Sequence, residues 1–560
     1  MKSLTVTPFI RDSFENYQKS ACGITLDIGR QRINQKELLS LIDFVKEKKM
    51  IESFNEMRKG KIVNASEHRS ALHTSLRDPS PDAPHAAEVH QTLEAFCKFA
   101  EDVRNWKWRG CSGDRITDVI NIGIGGSDMG PKCVYNALRP NKPEIKLHFL
   151  ASADGVIFDR ITSVLDPFST LIVISSKSFK TQETRANTQE ILDWLKKAGI
   201  PEKDFKHHVV VVSAKPDAAE QFGLPKENFF PIWDWVGGRF SVWGAIGLPV
   251  AIALGADTFK RFLAGAHAMD QHASTAPLQN NLPALMAMFA YWNSEKLDVS
   301  SYCFLPYDER LRVMVDWLQQ LEMESLGKST AADGTPVIGK TSLAVWGGHG
   351  NESQHSFYQF LREGTAKNAI DVFWCEKPGH AHKELHRVLM ANAKAQTEAL
   401  VTRDPKSKYF NVVSTVSIEE LTPETLGALM AMYEHKTTML GTLFGINAFD
   451  QPGVELGKKL ANRIQQIRNE RDLFLFNTHL QLAEEDGTIQ SLRQQMKEDE
   501  EIIRLRENIR RSAQAKVANG TMSVSDMLKE ITAENLARQA KAVHEVQLLM
   551  HLHQRKHLTN

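Results

Sequence analysis

Apolar residues fall in two alternating rhythms along most of the chain. From Ile116 onward, short β-type apolar runs over 118–124, 146–150, 170–174 and 208–212 are separated by stretches with three-and-four helical spacing. Short apolar runs alternating with amphipathic helices are what a parallel sheet requires, since each crossover helix must carry the chain back to the same end of the sheet. A second alternation starts near Ser300, with strands predicted over 302–305, 342–345 and 369–375. The pattern predicts an α/β protein with two sheet units, and helical arms before the first and after the second.

Near Ile464 the rhythm changes. From there to Asn560 no strand pattern occurs, only charged helical sequence in which Ile489, Leu492 and Met496, and again Ile502, Leu505 and Ile509, are spaced three and four apart. Asn519-Gly520 reads as a helix stop, and Ser523 followed by Asp526 as a capping box for the next helix. The expectation is a helical hairpin. The domains predicted are a helical arm over 1–110, α/β units over 111–290 and 291–464, and a helical tail over 465–560.

At 560 residues the chain is too long for one core. Lys plus Arg and Asp plus Glu number 68 each, so no global charge draws it to nucleic acid or an anionic membrane. Six cysteines without a C-x-x-C pair argue against a zinc site or a disulfide framework. The first five residues lead into charged sequence without an apolar signal core, and the longest apolar stretch, 245–256, is too short to span a bilayer. A cytoplasmic protein is expected.

Six stretches could carry chemistry. An apolar strand runs into Gly125-Gly126-Ser127 and a helix, a turn in which backbone N–H groups and a hydroxyl can approach an anion. Its glycine spacing does not fit the dinucleotide fingerprint. Ser175-Ser176-Lys177-Ser178-Phe179-Lys180-Thr181 also lies between strand and helix, and offers neutral donors plus point charge for a phosphate; its bland reading is a capping cluster with solvated lysines. Arg239, after Gly237-Gly238, could place a fixed charge against an oxyanion, although a lone arginine there is usually a surface residue. Glu324 falls at the end of a helix whose apolar face is Leu311, Met314, Val315, Leu318 and Leu321. His355 follows Gln354 after a glycine-rich loop, and Lys458 closes the turn 451–458. By pattern alone these last three are ordinary solvated or capping residues.

Taken together, NIGIGGSDMG, SSKSFKTQET, GGRFSVWGAIG, MES, QHSFYQ and FDQPGVELGKK follow the order and spacing of the phosphoglucose isomerase family, which the chain resembles over about residues 1–464. The resemblance implies two sugar-isomerase (SIS) domains, each a parallel sheet flanked by helices, in a homodimer with shared active sites. It implies reversible interconversion of glucose 6-phosphate and fructose 6-phosphate, a step of glycolysis and gluconeogenesis, with no cofactor and no metal. In that pattern Ser176, Lys177, Ser178 and Thr181 hold the phosphate, and Gly126 and Ser127 line the sugar. Gln320 and Gln451 contact sugar and phosphate, and His355, oriented by Glu183, assists ring opening with Lys458. Glu324 moves the proton between C2 and C1, and Arg239 stabilises the enediolate.

Departures from the pattern are Ser178 for Thr, Leu326 for Asn, Gly350-Asn351-Glu352-Ser353 before the histidine, and Pro452 for Trp. None removes a catalytic group. From about Arg468 the family's terminal segment is replaced by sequence resembling the periplasmic helices of outer-membrane efflux proteins. Two rival readings are a non-catalytic sugar-phosphate regulator and a self-associating tail with the isomerase as passenger. Glu324, His355, Lys458 and Arg239 together favour the enzyme, because a sensor needs the phosphate loop but not the base.

Overall fold

The computed structural model describes residues 18–179, 181–220, 223–224, 226–402 and 408–559. The segment read for a signal sequence and Lys180 lie outside these residues. Two compact units result, one ending at Pro452 and the other beginning at Gly453.

The first unit opens with the hairpin β1 (Gln18–Ala21) and β2 (Ile24–Arg30), followed by a small pair, β3 (Ile62–Asn64) and β4 (Arg69–Ser70). The strands β5 (Asp118–Ile122), β6 (Lys146–Leu150), β7 (Thr170–Ser175), β8 (Val209–Ser213) and β9 (Phe229–Pro231) make one sheet in the order β6-β5-β7-β8-β9. All its pairings are parallel, with Asn121 level with Phe149 on one side and Val173 on the other. A second sheet contains β10 (Ser301–Pro306), β11 (Ala344–Gly347), β12 (Asn368–Cys375) and β13 (Asn411–Ile418), in the order β1-β2-β13-β12-β10-β11.

The expected strands all form, with ends shifted by a residue or two. One difference is larger. Residues 1–110 were expected to be a helical arm, yet β2 pairs antiparallel with β13 and extends the second sheet, alongside helices such as Ala86–Arg104. Its sequence explains this: Ile24, Leu26 and Ile28 are buried while Thr25, Asp27 and Gly29 are half-exposed, a period of two and not of 3.6.

Both sheets bury both faces. Val119, Leu171, Val173, Val210 and Val212 face the central core, which is continuous across the unit; Ile120, Ile122, Ile172, Ile174, Val209 and Val211 face a second cluster under the outer helices. That is why β8 reads as an unbroken apolar run. The helix Pro423–Phe444 is buried nearly throughout and packs along Ala256–Thr275. It carries Glu434, His435 and Lys436 into the interior, each with a partner. Arg77 Nη1 donates to Glu434 at 2.8 Å, His435 Nε2 lies 2.6 Å from Asp270, and Lys436 Nζ donates to Glu322 at 2.6 Å.

The second unit is a helical hairpin, Glu455–Ala518 and Val524–Thr559. Its first helix runs unbroken through residue 464, because neither glycine nor proline occurs between Gly457 and Gly487. The stop at 519–520 forms, and Ser523 caps the next helix by accepting from the Asp526 N–H at 3.1 Å. Cross-helix bonds from Arg510 to Glu534 (2.6 Å), His544 to Asp499 (2.6 Å) and His551 to Glu485 (2.8 Å) run in opposite senses along the two helices, which are therefore antiparallel. Ile489 and Leu492 are buried, whereas Ile502, Leu505 and Ile509 remain exposed. No described helix is long and apolar enough to cross a membrane.

Candidate active site

The chain order of the first sheet reverses between β5 and β7, so the loops that follow these two neighbours splay apart and leave a crevice. The loop after β5 enters the helix Gly126–Leu138, and the loop after β7 enters the helix Gln182–Lys197. A hydrogen-bond relay ties them together. Ser175 Oγ donates to Asn121 Oδ1 at 3.0 Å, and Asn121 Nδ2 donates to the Ser127 carbonyl at 3.0 Å.

Within the second loop Ser176 is buried, and its Oγ accepts from the Phe179 N–H at 3.1 Å. Phe179 is itself buried at φ 54°, a left-handed conformation costly for an aromatic residue, which folds the loop tightly. Ser178 is half-buried, as is Thr181 at the N-cap of the helix. Lys177 Nζ donates to the carbonyls of Asp234 and Val236, both at 3.0 Å. Burial pushes its ammonium pKa down, against the pull of Asp234.

Those two carbonyls precede Gly237-Gly238-Arg239. Gly126 can only be glycine here, because a Cβ would lie 2.0 Å from the backbone of Gly238. The first loop thus rests directly on the turn that presents Arg239. The guanidinium is buried and densely bonded: Nε donates to Ser325 Oγ (2.6 Å), Nη1 to Gln451 Oε1 (3.1 Å), and Nη2 to the carbonyls of Ala448 (2.5 Å) and Asp450 (3.3 Å). Nη1 also lies 3.3 Å from Glu324 Oε1. Burial lowers the arginine's pKa and Glu324 and Asp450 oppose it, which leaves a permanent cation in a fixed plane.

Glu324 ends a π-helical turn, Gln319–Glu324, that continues the short helix Met314–Leu318. Its side chain keeps 24% of its surface exposed, against 1% for Arg239, so the pair has one accessible member. Gln320 lies over the first loop, its Nε2 3.0 Å from where a Gly125 Cβ would be, and its Oε1 is buried without a partner. A buried amide oxygen without a protein partner can accept a hydrogen bond from another donor. Three residues the sequence did not single out support this centre. Lys328 Nζ donates to the carbonyls of Glu324 (2.7 Å) and Asp450 (2.8 Å), and Ser325 and Asp450 hold Arg239 as described. The spacing of four between Glu324 and Lys328 was the available signal.

The structure does not gather every expected residue. His355 is exposed in the turn between Gly350–Ser353 and Tyr358–Glu363, and within one chain no hydrogen bond or ion pair joins it to Glu183 or Glu324 among the described residues. Glu183 is half-buried in the first turn of its helix. Lys458 belongs to the second unit.

One parallel and one mixed sheet, with a loop pair at the crest of the first and a buried arginine beside a carboxylate, define an α/β protein with an enzyme-like site. Comparison with known proteins makes this particular. The phosphoglucose isomerase family model matches residues 27–478. Glucose-6-phosphate isomerase from Shewanella pealeana is 39% identical over 485 residues, covering 81% of this chain and 89% of that protein. The enzyme of the same name from Burkholderia ambifaria is 41% identical over 463 residues, covering 79% and 86%. A crystal structure of glucose-6-phosphate isomerase from Chlamydia trachomatis superposes with a TM-score of 0.73 at 29% identity, covering 85% of this chain and 95% of that one. The chain belongs to the phosphoglucose isomerase family.

Proposed function

We propose that the chain is a glucose-6-phosphate isomerase, interconverting glucose 6-phosphate and fructose 6-phosphate through ring opening and a cis-enediol. The observation that carries this reading is the Arg239–Glu324 pair set beside the two loops of the switch point. An aldose–ketose shift must remove the proton on C2 and deliver it to C1, and one carboxylate can do both on a single face of the enediol. Glu324 is the accessible member and takes that role. Arg239 faces the oxygens on which charge builds, and because its plane is already fixed it need not reorganise during the reaction. Ser176, Lys177, Ser178 and Thr181 bind the phosphate, Gly126 and Ser127 line the sugar, and Gln320 and Gln451 hold its hydroxyls and phosphate. Proton transfer by a carboxylate needs neither metal nor organic cofactor.

His355 and Lys458 open the ring, with Glu183 orienting the imidazole. The exposure of His355 on its own protomer supports a homodimer in which that side chain serves the partner's site. The proposed compartment is the cytoplasm. The test is formation of glucose 6-phosphate from fructose 6-phosphate in a coupled assay with excess chelator. Turnover that persists under chelation is expected; no turnover from a folded dimer would overturn the reading.

A further inference from the structure

Glu324 can shuttle a proton between adjacent carbons only if its carboxylate is held in place, and the turn that carries it is an unusual one. A π-helical turn widens the helix and persists only where neighbouring groups pin it. One flank of Gln319–Glu324 is pinned to β11: Gln319 Nε2 donates to the Val345 carbonyl at 3.1 Å, and the Val345 N–H donates to Met323 Sδ at 3.4 Å. The opposite flank presents Glu322, which is 5% exposed and turned into the interior. It accepts from Lys436 Nζ at 2.6 Å.

Lys436 is set in turn. Its ammonium lies 3.9 Å from the centre of the Tyr302 ring, and the hydroxyls of Tyr302 (2.6 Å) and Tyr433 (3.0 Å) donate to one oxygen of Asp371. Close packing is incomplete on this flank, although Leu321 and Leu326 are buried in the core. A cavity of about 50 Å³ lies against Glu322, Lys436, Tyr302 and Leu326, and is also lined by Asn293 and Ser294, whose Oδ1 and Oγ are buried without partners. Along this polar cavity the turn is not held by interdigitated side chains. Beside it the Lys436–Glu322 bond is the polar contact that ties the turn to the helix Pro423–Phe444.

We infer that Glu322 is a positioning residue for the isomerisation: its bond to Lys436 sets the rotation of the π-helical turn that aims Glu324. This rests on the reading of Glu324 as the base. Burial raises the Glu322 carboxyl above its ordinary pKa, and Lys436 works against that rise.

Glu322→Gln alone would strand the lysine as an uncompensated buried charge and endanger the fold. The decisive variant is therefore Glu322→Gln/Lys436→Met, which removes both charges at nearly constant volume; Glu322→Asp keeps the charges but shortens the reach, and carries the same readouts should the double variant not fold. In the full chain, hydrogen exchange of the peptide spanning 319–326 should quicken at least about tenfold while peptides from β5 and β7 keep their protection. Turnover should fall by roughly 10², as misplacement by about 1 Å does, with KM within about threefold of the parent. Unchanged exchange over 319–326, or faster exchange with parental kcat, would overturn the inference. A parent that binds sugar phosphate but never turns it over would sink the isomerase reading instead, and the exchange data would still decide whether this pair anchors the turn.

Discussion

Arg239 Nη1 lies 3.3 Å from Glu324 Oε1, and every other nitrogen of that guanidinium is committed to Ser325, Ala448 or Asp450. The arginine cannot swing away, so the carboxylate sits beside a cation of fixed position. Glu324→Gln keeps size and hydrogen bonding but cannot accept a proton. Its kcat should fall at least about 10² with substrate affinity largely retained. Arg239→Lys, which keeps the charge but not the fork, should lose about 10²–10³. Steady-state kinetics with calorimetric binding separates the two parameters, and near-normal turnover in the Gln variant would exclude Glu324 as the base.

Lys177 should act on binding more than on rate. Its ammonium is half-buried and donates to the carbonyls of Asp234 and Val236, just ahead of the Arg239 turn. Lys177→Ala removes a charged contact present in ground and transition states alike, so KM should rise about tenfold. A loss confined to kcat would show instead that the lysine acts by bracing the Arg239 turn.

The exposed His355 sets up a complementation experiment. Inactive His355→Ala and Glu324→Gln chains, unfolded and refolded together, should form heterodimers with one intact site each. Recovered activity would place the two residues of a site on different chains. Verified heterodimers without activity would refute the shared site.

One buried cluster should make the stability of the fold depend on pH. Burial lowers the pKa of His435 to about 4, against the pull of Asp270 at 2.6 Å. Below pH 6.5 the unfolded chain takes up a proton at this position and the folded chain does not, so stability falls towards pH 4 by on the order of 3 kcal/mol. Burial opposes ionisation of Asp270 too, but Arg77 and His435 hold its carboxyl well below the usual range, so a second loss begins below about pH 4. Glu434, whose carboxyl pKa is raised by burial to about 7, acts in the opposite sense between pH 7 and 4.5, so the measurement that isolates His435 is the difference between parent and variant melts from pH 7 to 4. His435→Gln should make the decline between 6.5 and 4 shallower; an unaltered slope would mean that another group is responsible.

Deleting residues 472–560 removes the second tail helix and most of the first while keeping Lys458. Turnover per folded chain should stay within a few-fold of the parent. Leu473, Phe474, Leu475 and Phe476 are consecutive and all exposed, so the truncation should also self-associate less in sedimentation experiments. A folded, dimeric truncation without activity would show that the tail serves the site.

Legibility differed by element. The strand 146–150 was placed to the residue, since its apolar run is bounded by polar and proline positions. β13 was not foreseen, because Ser414, Thr415 and Ser417 interrupt its valines and read as loop; in the fold Ser414 accepts from Gln31 Nε2 at 2.9 Å, which offsets part of the cost of burying its hydroxyl. The anion-type loops were legible because strands ending in Gly or Ser announce themselves locally. The buried charges were not. Glu434, His435 and Lys436 meet partners 357, 165 and 114 residues away, at Arg77, Asp270 and Glu322, a distance no local pattern spans. The π-helical turn was equally hidden, since its extra residue is fixed by Val345 and Lys436, not by its own sequence.

The pairing of β2 with β13 has a consequence for biosynthesis. Ile24 lies opposite Ile418, so the first two strands among the described residues belong to a sheet whose other strands, at 301–418, are made later than those of the first sheet. At ribosomal speed the hairpin of β1 and β2 waits roughly 20–80 s for its neighbour to be translated. Over that interval a two-stranded ribbon with one apolar side stands without a sheet, a state that is marginal in water and ready to pair with any other open edge. Nascent chains arrested before residue 418 should therefore leave residues 18–30 open to protease, while β5 to β9, which lie within residues 118–231 and pair with one another, are already protected.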